Sequence, residues 1–333
     1  MPSHTGGIVS GSVVTRLEAA SYEAVQTESH EEAQSHAEPP PAVVRPIVVG
    51  VDGSGAGGLA LDWAAAEAGR ARRPLHLLHA FEMDAVTVSP LFVAPMAWYD
   101  PQWSLTQAAE RLAAIAPDLP TTSSQSNETP TQALVRASHD AALVVVGTRG
   151  HTAAGALVVG STAARVAGHA VCPVVVVRVA PRPSAAPRVV VGLDGSPSAT
   201  SALRFAAHWA SEHGCRLSVV HAWPGDITID DVRAVESVRD EIREAVRRGQ
   251  VELTEAMLQP ARTAFPGLPV DVLVPAGGPG GALVDASEDA TLVVVGSRGR
   301  GLFKGLVLGS VSEHVLHHAH CPVVVVPSGV PGG

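Results

Sequence analysis

The chain has 333 residues, enough for about two domains, and a formal charge of −9 that argues against a nucleic-acid surface, which would show a basic patch. Apolar residues make up 46% but aromatics only 4%, so Val, Ala and Leu build the core; no apolar run approaches the roughly 18 residues of a membrane span. Lys304 is the only lysine and no G-K-[ST] occurs, which excludes a Walker A loop.

Residues 1–44 are polar, acidic and rich in Ser, Glu and His, ending in "EPPPAVVRP", and are expected to be a disordered tail. A short helix over "TRLEAASYEAVQ" would have nothing to pack on. The N-terminus lacks the basic region and apolar core of a secretory signal. Cys172, Cys215 and Cys321 form neither a disulfide framework nor a C-x-x-C metal spacing, so a reducing, cytoplasmic setting is expected.

From Pro46 one unit is written twice. "PIVVGVDGS" (46–54) returns as "RVVVGLDGS" (188–196), each an apolar strand ending in Asp-Gly-Ser. Helical patterns follow in "LALDWAAAEAGRA" and "TSALRFAAHWASEHG", then second strands in "PLHLLHAF" and "RLSVVHAW". A longer helix comes next, clearest at "DVRAVESVRDEIREAVRRGQVELTEAML". "PVDVLVPAGGP" reads as a third strand, whereas "TTSSQSNETP" is a poor one. The fourth strands, "ALVVV" and "TLVVV", open into "GTRGHTAAGALVVGS" (147–161) and "GSRGRGLFKGLVLGS" (296–310). A short helix and "CPVVVV" close each unit. Alternating strands and helices predict two doubly wound parallel α/β domains, at 45–179 and 188–328. "APRPSAAP" (180–187) is the linker, and 329–333 is a tail. The last strands would be exposed edges in a lone domain. Pairing them makes an intrachain pseudo-dimer, and two chains could associate further as a homodimer.

Ligands of open α/β sheets bind beyond the carboxyl ends of the strands, where strand order reverses. Asp52 and Asp194 end the first strands, and the glycine loops leave the fourth, so the two features converge on one crevice per domain. Glycine lets backbone N–H groups approach an anion and permits positive φ. Gly147 and Gly150 could wrap a phosphate, and Gly160-Ser161 would open a helix whose N-terminus favours one, with Ser161 available as a cap. Gly296, Gly299, Gly309 and Ser310 repeat the arrangement.

The spacing G-x2-G-x9-G-[S/T], after a Val-rich strand and before C-P-V-V-V-V, resembles the universal stress protein family. The opening V-G-V-D-G-S is similar as well. The resemblance implies five-stranded, adenine-nucleotide α-hydrolase-like sheets, pairing of domains through their last strands, and ATP binding by many but not all members. By the same resemblance Asp52 and Asp194, with Ala80 and Ala222 at the tips of the second strands, would lie against the nucleosides. The glycines and serines above would hold the phosphates. ATP with Mg²⁺ held mainly by those phosphates, and unknown protein partners, are the expected company. Arg300 and Lys304 lie in the second loop only, so tighter triphosphate binding is expected in the second domain.

Other chemistries fit the same residues less well. Gly53, Gly55 and Gly58 satisfy the dinucleotide fingerprint, with Glu82 or Asp84 as a ribose acid, but "DGSPSAT" keeps only the first glycine. No G-x-S-x-G elbow occurs and no catalytic residue is assigned, which leaves at most slow ATP hydrolysis. His314, His317 and His318 lie at helical spacing with His320 nearby, yet the first copy lacks them, so no metal is expected. The aromatic stretch from Phe81 to Trp103 reads as a loop burying its own rings, or as a lid over the first site. The cysteines heading the last strands are expected to be buried and inert.

Overall fold

The computed structural model describes residues 44–81, 102–148, 159–179, 186–225, 236–299 and 308–329. The N-terminal tail, Gly150, Arg300, Lys304 and nearly all of the aromatic stretch lie outside them.

In the first domain the order is β1 (Ile47–Gly50), α1 (Gly55–Ala71), β2 (Leu75–Ala80), α2 (Trp103–Ile115), β3 (Thr121–Ser126), α3 (Pro130–Ala137), β4 (Leu143–Gly147), α4 (Ser161–His169) and β5 (Val174–Val177). The second repeats it as β6 (Arg188–Gly192), α5 (Pro197–Glu212), β7 (Arg216–Val220), α6 (Glu236–Ala264), β8 (Val270–Leu273), α7 (Pro279–Ala286), β9 (Leu292–Gly296), α8 (Ser310–His318) and β10 (Val323–Val326). The strands form one ten-stranded sheet in the order β3-β2-β1-β4-β5-β10-β9-β6-β7-β8.

Within each half all pairings are parallel. The halves meet at an antiparallel seam in which Val174, Val175 and Val176 face Val325, Val324 and Val323. All six of these valines are completely buried. Parallel strands covered by helices on both faces read as continuous apolar runs, which is why the Val-rich segments became these strands. Each face has one core that runs across the seam. α1, α2, α5 and α6 cover the face holding Val175 and Val324; α3, α4, α7 and α8 cover the face holding Val174 and Val323. A nearly buried pair also joins the halves: His213 Nε2 lies 2.9 Å from Glu67 Oε2, with the imidazole stacked on Trp209.

The third strand of the first domain corrects its weak sequence pattern. All six residues of β3 pair in register with β2, and His76 bonds Thr122 Oγ1 and Ser124 Oγ, both at 2.8 Å. An edge strand with one exposed face needs backbone pairing more than apolar side chains, so polarity does not forbid it.

A crevice at the carboxyl ends of the strands

β1 and β6 each run into a tight turn that sets an aspartate at the strand end. Gly53 and Gly195 adopt φ of 77° and 78°, a conformation costly for any residue with a Cβ. Asp52 Oδ1 accepts the Ser54 N–H and Asp194 Oδ1 accepts the Ser196 N–H, both at 2.9 Å. Ser54 and Ser196 then cap α1 and α5, accepting the N–H groups of Gly57 and Ala199. The Asp-Gly-Ser motif is thus an Asx turn feeding an N-cap.

Buried histidines brace both turns from the neighbouring strand. His79 Nδ1 donates to the Val51 carbonyl at 2.8 Å, and His221 Nδ1 to the Leu193 carbonyl at 2.7 Å. A carbonyl can only accept, so both rings carry the Nδ1 proton. His221 Nε2 meets the Gln250 amide at 3.0 Å. The matching His-Ala-aromatic endings of the second strands were the sequence signal for this pair, although the pattern alone assigned them no role.

The glycines do not all do the same job. A Cβ on Gly147 would stand 2.6 Å from the Ala56 carbonyl oxygen; one on Gly296 would stand 2.6 Å from Ser198 Oγ and 2.7 Å from the Ser198 carbonyl carbon. The first glycine of each loop is therefore required already by strand-to-helix packing, with or without an anion. Gly299 lies against the carboxylate, its Cβ direction 2.8 Å from Asp194 Oδ2. Gly160 and Gly309 have ordinary extended φ of −66° and −71° and are themselves the N-caps, with no side-chain cap bond. Ser161 and Ser310 are the first helical residues, which corrects the expectation that Ser161 caps α4. The N–H groups of Gly160 and Gly309 close the loop bases by donating to Thr148 and Ser297 carbonyls at 2.6 and 2.8 Å. Donors for an anion fall instead to the next N–H groups, in the first turns of α4 and α8, which have no intrahelical acceptor.

In the second domain these parts surround one cavity of about 290 Å³. Asp194, Ala222, Gly296, Gly299, Gly309 and Ser310 all line it. Val220, Leu283, Val295 and Leu308 supply an apolar wall, while Ser196, Arg298 and Ser312 add polar groups. Arg298 lies between the aligned glycines of "GSRG", and "GTRG" in the first copy carries the same arginine, a signal the glycine spacing overshadowed. Ser198 and Ser196 donate to the Arg298 carbonyl, and Ser312 Oγ donates to the Gly296 carbonyl at 2.6 Å. The mouth of the loop is thereby tied to α5 and α8.

In the first domain Asp52, Ala80, Gly147, Gly160 and Ser161 occupy the same places: the ends of β1, β2 and β4 and the start of α4. Ser54 Oγ donates to Asp52 Oδ1 at 2.6 Å there. A separate hollow of about 550 Å³ lies between α1 and α2, lined in part by Gly53, Gly55 and Gly58. Glu82 and Asp84, the acids of the dinucleotide reading, are outside the described residues. Among the described residues no group of three or more His, Cys, Asp or Glu is placed to hold a metal, and His314 stacks on His318 instead. No described helix is long and apolar enough to cross a membrane.

The fold defines a tandem doubly wound α/β protein with a seam between its last strands. The family model of the universal stress protein family matches twice, at residues 44–178 and 186–327, and the chain belongs to that family. Universal stress protein Rv2005c of Mycobacterium tuberculosis is 36% identical over 291 residues, spanning 84% of this chain and 96% of its own. Universal stress protein Rv2623 of the same organism is 34% identical over 297 residues, spanning 84% and 95%. Among solved structures, a universal stress protein from Archaeoglobus fulgidus aligns with TM-score 0.59 and 19% identity over 86% of this chain and 100% of that one. A functionally unknown protein from Pseudomonas aeruginosa aligns with TM-score 0.61 and 17% identity over 86% and 93%. At that identity the structures speak for the fold alone.

Proposed function

We propose that this chain is an ATP-binding universal stress protein with one nucleotide crevice per domain, and that its bound state is read by partner proteins. The observation that carries the reading is the second-domain cavity, where an aspartate, an apolar wall and an uncapped helix N-terminus converge. The chemistry of the donor set fits. Val220, Ala222 and Leu283 offer an apolar surface for a base, and the Asp194 carboxylate can accept from a ribose hydroxyl. The first N–H groups of α8 and the Arg298 guanidinium suit phosphates. ATP would bring its own Mg²⁺, held mainly by the phosphate oxygens.

The protein's part is to bind and orient. His221 fixes the turn bearing Asp194, and Ser196 and Ser198 fix the start of the glycine loop. Bound phosphate would favour the conformers in which the first turn of α8 faces it, and so shift a surface that partners meet.

The test is to denature freshly purified protein and quantify the released nucleotide by chromatography. Intact ATP in stoichiometric amount supports the reading. ADP accumulating at roughly 1 s⁻¹ or faster would make the protein an enzyme. Protein that releases nothing and binds no added MgATP would be an interaction module of the same fold.

A further inference from the structure

The last turn of α8, in the second domain, touches the candidate site of the first. His317 Nδ1 accepts a hydrogen bond from the Val159 N–H at 3.3 Å, one residue before the Gly160 cap of α4. The adjacent Leu316 carbonyl accepts from Arg178 Nη1 at 2.7 Å, and Arg178 directly follows β5. The other end of α8 lines the second-domain cavity through Ser310, Val311 and Ser312. A nine-residue helix, about 14 Å long at 1.5 Å per residue, therefore runs from one crevice to the edge of the other.

Pseudo-symmetry calls for the reverse contact, and the sequence does not supply it. Aligning "GSTAARVAGHAVCPVVVVR" with "GSVSEHVLHHAHCPVVVVP" sets Gly168 opposite His317 and Pro327 opposite Arg178. Glycine has no side chain to accept a bond, and proline has no guanidinium to donate one. The tie is one-sided.

Its chemistry is conditional on protonation. An imidazole nitrogen accepts only while it is unprotonated, so the bond requires neutral His317 with its proton on Nε2. The charged and titratable groups around it are Glu313, His314 and His318 on its own helix and Arg178 from the end of β5. Partial burial lowers the His317 pKa, His318, Arg178 and His314 push the same way, and Glu313 opposes. Neutral pH therefore keeps the acceptor, and acid removes it.

We propose that His317 is a positioning residue that the second domain supplies to the site of the first, holding the Val159–Gly160 corner so that the opening N–H groups of α4 face the crevice, and letting go when protonated. Its consequence for nucleotide rests on the function proposed above; the hydrogen bond itself does not. Any coupling of the two sites through α8 is reciprocal in binding free energy, although the contact is not duplicated.

The experiment is residue-resolved amide exchange on the full chain, with wild type, His317→Ala and His317→Gln compared from about pH 5 to about pH 8 after correction for intrinsic rates. In wild type, Val159 protection should fall as the pH drops below about 6.5. His317→Ala should lose it about three- to tenfold at neutral pH and show no further fall in acid. His317→Gln, whose amide oxygen still accepts, should restore protection and flatten the pH profile. Leu308, the residue matching Val159, should not respond. Equal Val159 protection in all three proteins, or equal loss at Leu308, overturns the proposal. ATP affinity is read separately in a Gly309→Asp background, where only the first site remains. There His317→Ala should weaken binding about threefold or more and His317→Gln should recover it. A chain that binds no ATP while Val159 responds as described upholds the positioning role and defeats the nucleotide reading alone.

Discussion

At the mouth of the second domain Ser198 anchors the Arg298 carbonyl, and Ser312 anchors Gly296. The matching residues of the first domain are Ala56 and Ala163, which have no hydroxyl. Instead the first domain receives a tie from outside, His317 on Val159. Among the described residues, the second loop is held from within its own domain, whereas the start of α4 is met from its twin. The turn below each crevice is the same in both, down to the histidine that braces it. What duplication preserved is the turn and its bracing histidine; what differs, among the described residues, is which side chains meet the loop ends.

The largest effect should come from the seam that makes the two halves one body. Val175→Asp or Val324→Asp places a charge at a fully buried register pair inside a core shared by both domains. Each should cost about 4 kcal/mol or more. Urea unfolding should show both halves lost together; a transition in which one half survives unperturbed would mean that the halves are independent. Next come the glycines. Gly147→Ala and Gly296→Ala drive a methyl into backbone at 2.6 to 2.7 Å and should each cost about 1–3 kcal/mol. Gly309→Ala meets only ordinary contacts of 3.4–3.5 Å and should stay within about 0.5 kcal/mol. Thermal melts of the three variants separate glycine needed by the protein from glycine left open for a ligand. Equal losses in all three would erase that distinction.

A smaller change tests the fastening itself. Ser198→Ala should cost about 1 kcal/mol and weaken ATP binding in the second domain toward the level of the first. Urea midpoints and ATP titrations read the two effects, and unchanged binding would show that the anchor is irrelevant to the site. The smallest effect is common to both halves. Burial pushes the Cys172 and Cys321 thiols up to about 12. Raised folded-state values mean that stability is intact below the unfolded thiol range, near 8.5, and is lost as the pH rises through it toward about 12. Cys172→Ala should reduce that alkaline loss, and neither thiol should alkylate in native protein at neutral pH.

Much of this was legible in the sequence, and the reasons are specific. Val-rich runs bounded by Asp-Gly-Ser or Gly-x-x-Gly suit covered strands ending in turns, so the doubly wound halves followed from the repeat and the pairing of their last strands from the need to cover apolar edges. β3 was harder because an edge strand is held by its neighbour, and "TTSSQS" carries no apolar alternation. The glycine spacing pointed to the strand ends where the second-domain cavity lies, but could not divide the work among the glycines. Whether a glycine clears a backbone or a ligand depends on what stands opposite it, and Ala56 and Ser198 lie far away in sequence. The reach of His317 to Val159 was invisible for the same reason. Helical spacing suggested a shared face of histidines, whereas the useful fact is which side of the seam that face meets.

The most direct measurement is calorimetric titration of MgATP into wild type, Gly160→Asp and Gly309→Asp at neutral pH. Two sites in wild type are expected, the tighter lost in Gly309→Asp and the weaker in Gly160→Asp, because an aspartate at either helix start sets a like charge against the phosphates. Wild type that takes up no ATP, or variants that bind as wild type does, would contradict the account of paired nucleotide crevices.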